Sequence, residues 1–247
     1  MMFGRKLVRA ARYAELKERE HAHHDLTFLK ALDPSAQQRC LALLEHSKSQ
    51  IRQDLFALAM LDFPQNGFFV EFGATDGVSL NNTWLMETQF GWSGILAEPG
   101  QNWHDALRAN RACHVDTRAV WKESSKTLRF TEAPRQENSG LTELVKPSRR
   151  MRGVSYDVTS VTLNDLLDAY AAPSVIDYLS VDTEGSEADI LSAVDWNKWR
   201  FKVITVEHNF QPQRARISQI LTQVGYRQML PEVSNFDDWY VLESLAD

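Results

Sequence analysis

The chain of 247 residues is 43% hydrophobic with a formal net charge of −6, enough apolar material for one large domain or a domain with an extension. The acidic balance argues against a general nucleic-acid binder, because neutralising phosphates takes a surplus of Lys and Arg on the binding face. No apolar run approaches membrane-span length, the first residues lack a signal-peptide block, and Cys40 and Cys113 lie far apart in apolar contexts. The expectation is a cytoplasmic protein with reduced core thiols.

Charge is unevenly spread: Met1 to Arg52 holds ten Lys/Arg against six Asp/Glu, or +4, leaving −10 for the remainder. From Phe3 to about Lys30, the residues Phe3, Leu7, Val8, Ala11 and Leu16 fall on a helical face opposite Arg5, Lys6, Arg9 and Arg12. A basic amphipathic helix of this kind can rest peripherally on an anionic membrane. A solvated or oligomer-packing helix is the plainer reading, since Glu15, Glu18 and Glu20 soon cancel the charge. His21, His23 and His24 lack the converging ligands that a metal site needs. Asp33-Pro34-Ser35 stops one helix and starts another, and Ala36 to Leu61 reads as a single helix with Leu41, Leu44, Ile51, Leu55 and Leu58 on one side. Residues 1–62 form a predicted N-terminal helical extension and 63–247 the main domain.

Pro64-Gln65-Asn66-Gly67 feeds Phe68 to Phe72, an apolar run with a single charge, Glu71, suited to a strand covered on both faces. Gly73-Ala74-Thr75-Asp76-Gly77 follows as a tight turn. A dinucleotide loop would read GxGxxG, so this spacing favours a nucleotide-type ligand without a pyrophosphate. Asn81 or Asn82 caps a helix to Phe90, after which Gly94 to Ala97 is a second strand ending in Glu98-Pro99. Glu98 lies 21 residues beyond Gly77, close to the separation of about 20 at which an acidic residue meets ribose hydroxyls. Trp103 to Asn110 is a helix, Cys113 to Asp116 a third strand and Thr127 to Phe130 a short strand. The polar stretch Thr131 to Arg152, with Arg135, Lys146, Arg149, Arg150 and Arg152, reads as a long loop, either a lid that receives an anionic acceptor or a solvated segment.

A helix opened by Thr162 leads to the fourth strand, Ser174 to Val181, which ends in Asp182-Thr183-Glu184-Gly185-Ser186-Glu187. Carboxylates gathered this closely repel unless a cation or a proton holds them. The fifth strand, Phe201 to Val206, ends in Glu207-His208-Asn209-Phe210. A helix near Pro212 to Val224 and strands at Tyr226 to Leu230 and Trp239 to Leu242 complete a predicted seven-stranded, doubly wound α/β sheet. Such sheets bind ligands at the carboxyl ends of their strands.

Phe69 to Gly77, Asn82-Thr83, Trp92 to Pro99, Val181 to Glu187 and Val206-Glu207 together resemble the FkbM-type methyltransferases, in the family's order, over roughly Ser49 to Leu242. The resemblance implies a class I methyltransferase, Rossmann-like fold, S-adenosylmethionine as donor, and O-methylation of a small-molecule, sugar or glycan acceptor. On that view Glu71, Gly73, Ala74, Thr75, Asp76, Gly77 and Asn82 contact the methionine side, with Asp182, and Glu98 the ribose. Pro99 stacks near the adenine, and Ala119 and Val120 edge it. Gln50 and Asp54 are placed as in relatives whose helix closes over the donor. A base must take the hydroxyl proton: His208 is the expected base, with Asp182 and Glu184 orienting the acceptor, the alternative being a loop histidine held by its own hydrogen bonds. Asp182, Glu207 and Asn209 also resemble carboxylate and amide sets that bind magnesium in catechol-type O-methyltransferases; a metal is the less expected arrangement. A non-catalytic trafficking module on the same sheet and a nicotinamide-dependent oxidoreductase are the competing functions.

Overall fold

The computed structural model describes residues 10–134, 139–145 and 152–245. Phe3 to Arg9, which carry most of the proposed membrane-facing charge, lie outside it, as do Arg135, Lys146, Arg149 and Arg150 of the basic stretch. Among the described residues no helix is long and apolar enough to cross a membrane.

Three helices precede the sheet: α1 (Ala10–Ala31), α2 (Pro34–Leu43) and α3 (Gln53–Met60). Asp33 caps α2, its carboxylate accepting from the N–H groups of Ser35 and Ala36, with Pro34 in the first turn where its missing N–H costs nothing. The helix predicted from Ala36 to Leu61 is instead two. Ser47 and Ser49 turn their hydroxyls onto Asp54 Oδ1, at 2.8 and 2.6 Å, and Leu55 N–H donates to the same oxygen. Such local bonds compete with a continuous helical ladder. Arg52 then takes φ 70° ahead of α3, held by both carboxylate oxygens of Asp25 in α1 at 2.7 and 2.9 Å.

The main sheet is assembled from β1 (Phe68–Phe72), β2 (Ser93–Ala97), β3 (His114–Asp116), β8 (Val175–Val181), β9 (Arg200–Glu207), β10 (Tyr226–Met229) and β11 (Asp237–Leu242). Its order is β10-β11-β9-β8-β1-β2-β3, parallel except that β11 runs against β9 and β10 against β11. The chain leaves β1 towards β2 and β3 on one side and returns on the other, which puts the switch point of the doubly wound sheet between β1 and β8. The helices α4 (Trp84–Phe90), α5 (His104–Asn110), α6 (Leu163–Ala169), α7 (Glu187–Ser192) and α8 (Gln213–Gln223) complete the crossovers. The N-terminal helices share the sheet's core: Phe28 and Phe56 are fully buried against Trp239, whose ring stacks on that of Phe56 with centroids 4.6 Å apart.

A second sheet, unforeseen in the sequence, has the order β4-β7-β5-β6, from β4 (Ala119–Val120), β5 (Thr127–Glu132), β6 (Gly140–Leu141) and β7 (Val154–Val161). Thus part of the stretch expected to be one long loop is paired, β6 and β7 both lying antiparallel to β5. Both cysteine thiols are free; Cys40 is buried, and burial pushes its thiol up to about 12.

Candidate active site

Register builds the site. Phe72 pairs with Ala97 of β2 and with Val181 of β8, and Val181 with Val206 of β9. The next residues, Gly73, Glu98, Asp182 and Glu207, therefore form a row along the carboxyl edge, and all four line one cavity of about 350 Å³. This volume suits a small-molecule site, for which about 300–1,000 Å³ is usual.

Gly73 has φ +75°, and a Cβ there would lie 2.3 Å from the carbonyl oxygen of Asp182. Only glycine lets the first turn pass so close to the end of β8. Thr75, also lining the cavity, donates its N–H to Glu98 Oε2 at 2.9 Å, while Gly100 N–H donates to Oε1 at 2.7 Å. Two N–H groups favour the ionised carboxylate, yet burial wins and raises Glu98 to about 7.

Other residues expected at the donor stand behind the wall. Glu71 does not line the cavity: it is 2% exposed, and it accepts from Asn82 N–H at 2.8 Å and Thr83 Oγ1 at 2.6 Å. Burial raises its pKa although the Arg111 guanidinium is near. Its work is to fasten the start of α4 beneath β1. Asp76 closes its own turn by accepting from Val78 and Ser79, Ala74 is in the core, and a Cβ on Gly77 would meet Arg111 and Leu107. The α4 cap is Asn81, whose Oδ1 accepts from Thr83 and Trp84 N–H. That leaves Asn82 for the site: it lines the cavity, its Nδ2 donates to Ser180 Oγ at 2.9 Å, and its buried Oδ1 has no hydrogen-bond partner among the described residues. An orphaned buried acceptor carries a desolvation cost that a ligand donor relieves.

At the other end, Asp182 and Glu207 hydrogen bond to one another. Burial is the largest force raising both pKa values; Asp237 adds to it at Asp182, and Asp182 adds to it at Glu207. Two carboxyls so placed retain a proton between them at neutral pH. Oxygens of Asp182, Glu187 and Glu207 lie within 4.8 Å of one another, so the possible metal set gathers Glu187 in place of the expected Asn209, which nevertheless lines the same cavity. Glu187 is already committed: Oε1 accepts from Thr183 N–H, Thr183 Oγ1 and Gly185 N–H, and Oε2 from Gln213 Nε2. Glu184 lines the cavity from the same turn.

His208 corrects the expected base. It is 1% exposed and absent from the cavity wall; its Nε2 donates to the carbonyl of Asp237 at 3.0 Å and its Nδ1 accepts from Phe210 N–H at 3.0 Å. Burial lowers its pKa. Both nitrogens are thus spent on holding the loop after β9, the alternative already open in the sequence.

The remaining walls come from three places. Pro99 and Trp103 follow β2; Ala119, Val120, Phe130, Gly140 and Leu141 belong to the second sheet; Gln50 and Gln53 come from the segment around the start of α3. Asp54 is buried against Ser47 and Ser49 and shapes that segment from within. Gln53 was missed in the sequence, although it lies three residues after Gln50; it donates Nε2 to Asp237 Oδ2 at 2.9 Å.

Set against solved structures, the fold has distant likenesses. A precorrin-6y C5,15-methyltransferase from Geobacter metallireducens GS-15 is 10% identical, with TM-score 0.42, over 71% of this chain and 72% of that one. A point mutant of MtNAS in complex with S-adenosylmethionine is 12% identical at TM-score 0.37, over 93% and 74%, and the CurJ carbon methyltransferase is 11% identical at 0.37, over 93% and 69%. Among curated proteins none matches the chain. The sequence model of the methyltransferase FkbM domain, however, matches residues 71–228, more than half of the chain and the span that carries the row of carboxyl-end residues from the turn after β1 to Glu207, and the chain belongs to that family.

Proposed function

We propose that the chain is an S-adenosylmethionine-dependent O-methyltransferase acting on a hydroxyl of a sugar, glycan or glycolipid. One observation carries the reading: a single cavity runs from the Gly73 turn and Glu98 to the Asp182 and Glu207 pair. Groups suited to an adenosyl amino acid lie at one end and groups able to take a proton at the other. Glu98 would meet the ribose hydroxyls, Pro99, Ala119 and Val120 would flank the adenine, and Gly73 and Thr75 would allow close backbone approach. Asn82 Oδ1 would accept from the amino group of the methionine portion. When bound, the donor supplies an activated methyl group. The protein's own task is to hold the acceptor hydroxyl in line and remove its proton.

That proton falls to the carboxyl pair rather than to His208. With one proton shared between them, the ionised member accepts the hydroxyl's hydrogen bond and then its proton, and the other steadies the charge. Both border the cavity, and the hydrogen bond between them favours the proton on Glu207 and the charge on Asp182, so we assign Asp182 the accepting role. Glu184 helps orient the acceptor. A divalent cation between Asp182 and Glu207 is the second reading, favoured by the convergence of three carboxylates and opposed by the full hydrogen-bonding of Glu187.

Calorimetric titration of the full chain with S-adenosylhomocysteine tests the donor; one saturable site is expected, and none would return the choice to a nicotinamide enzyme or a non-catalytic module. Mass spectrometry of a panel of glycans and glycolipids incubated with donor tests the acceptor. Methyl groups found only on carbon or nitrogen would sink that half. Turnover abolished by a chelator and restored by magnesium would move the cation reading to first place.

A further inference from the structure

The second sheet grips the loop that carries Glu98. Glu132, the last residue of β5, and Tyr156 of β7 meet across the strand pair, where Tyr156 Oη donates to Glu132 Oε1 at 2.5 Å. Both then reach to the loop after β2. Gln101 N–H donates to Tyr156 Oη at 2.8 Å, Asn102 N–H donates to Glu132 Oε1 at 3.0 Å, and Asn102 Nδ2 donates to Glu132 Oε2. This loop begins with Glu98 and Pro99 and ends at Trp103, and these three residues line the cavity, whereas Glu132, Tyr156, Gln101 and Asn102 do not. Glu132 is 8% exposed, and its hydrogen bonds among the described residues come from Asn102 and Tyr156, not from a basic side chain. A carboxylate buried with no basic partner among the described residues is costly. The Tyr156 ring lies 5.8 Å from that of Phe130, itself a cavity wall.

At its other edge the same sheet touches the turn after β8. A Cβ on Gly140 would lie 3.4 Å from Glu184 Cβ and 3.6 Å from Thr183 O, and one on Gly185 would lie 3.4 Å from Leu144 Cβ. The small sheet therefore bridges the two loops that face each other across the cavity.

We propose that Tyr156 and Glu132 are positioning residues for the donor, holding the loop from Glu98 to Trp103 in the geometry that receives an adenosyl group. The proposal rests on the donor reading above. It gives the second sheet a positioning part in donor binding beside the direct flanking of the adenine by Ala119 and Val120, and it acts through Glu98 and its neighbours without touching the ligand.

The test is to titrate S-adenosylhomocysteine and adenosine separately into full-length wild type, Tyr156→Phe, Glu132→Ala and Glu132→Gln, recording Tm for each. Tyr156→Phe is expected to raise both Kd values about tenfold, the loss of one well-placed bond to the loop, with little change in Tm. Glu132→Ala should do at least as much. Glu132→Gln keeps the oxygen that accepts from Tyr156 and Asn102 N–H and should recover most of the affinity. An unchanged Kd in folded Tyr156→Phe overturns the proposal, and so does a fall in Tm with wild-type affinity, which would mark a purely structural bond. Weakening of S-adenosylhomocysteine but not of adenosine also overturns it, because the effect would then lie on the methionine side. Should Glu132→Ala fail to fold, Tyr156→Phe still decides. Wild type that binds neither ligand would overturn the donor reading itself, and would be seen before any substitution is compared.

Discussion

The two halves of the sheet's carboxyl end are built from the same residue types, and burial raises the acids of both, but their partners differ. In the β1–β2 half, Glu71 and Glu98 each accept hydrogen bonds from fixed partners, Asn82 and Thr83 for one and Thr75 and Gly100 for the other. In the β8–β9 half, Asp182 and Glu207 have chiefly each other, with Asp237 close enough to push Asp182 further up. Acids furnished with fixed donors are held in place, Glu98 in the cavity wall and Glu71 behind it; carboxyls left to share a proton make a reservoir for one. The lesson is that the acid itself does not set the role, since neighbouring donors do.

The largest way to break the contrast is Asp182→Asn. It keeps the shape but removes the proton acceptor, and turnover should fall about 10²–10⁴-fold while the affinity for S-adenosylhomocysteine stays near wild type. Full turnover would return the base to another group. Next is Gly73→Ala, where the left-handed backbone and the Asp182 carbonyl leave no room for a methyl group. A loss of about 3 kcal/mol in urea unfolding is expected, from strain plus overlap, and a near-native midpoint would show that the turn can relax.

Glu98 gives a pH test of comparable size. Its folded pKa, about 7, lies above the ordinary 4.5, so the native state binds the proton more tightly than the unfolded chain does. That stabilisation is complete below about 4.5 and is lost as pH rises through about 7, a span worth about 3 kcal/mol for a fully buried group. Asp237 titrates over a similar range with the same sign. Glu98→Gln should flatten the decline of unfolding free energy between pH 4.5 and 7 by close to one proton, and an unaltered slope would mean that Glu98 ionises normally. The smallest effect is expected at His208. His208→Asn should lower Tm by a few degrees through the loop after β9 and leave turnover of the folded protein within about threefold, because no proton is routed through it. A turnover loss as large as that of Asp182→Asn would restore His208 as the base.

What could be read from the sequence was whatever depends on strand ends. An apolar run that stops at an acid or a glycine announces a carboxyl edge, so Gly73, Glu98, Asp182 and Glu207 were placeable without knowing any side-chain direction. Direction was the missing quantity at Glu71 and His208. One residue sits inside β1 and turns back towards α4, and the other drops between the loop after β9 and the start of β11. The split of the long helix hid in Ser47 and Ser49, polar positions that look like an exposed helical face until their hydroxyls find Asp54. In β7 a period of two runs through Tyr156, Val158 and Ser160, but the buried polar member disguised it: Ser160, 1% exposed, donates to the carbonyl of Glu123 at 2.6 Å and accepts from Lys126 N–H at 3.0 Å. Glu132 and Tyr156 went unnoticed with the sheet that holds them.

The hydrogen bond between Gln53 and Asp237 spans most of the chain, and Phe28 and Phe56 find their cover in Trp239 of the last strand. On a ribosome adding about 5–20 residues per second, the early helices must wait on the order of ten seconds for that partner. During that interval two buried phenylalanines are without their partner on Trp239 and the cavity lacks the wall beside Gln53 and Phe236. Folding of this site therefore waits for the synthesis of β11, and chains stalled before β11 are the ones that should be found on chaperones.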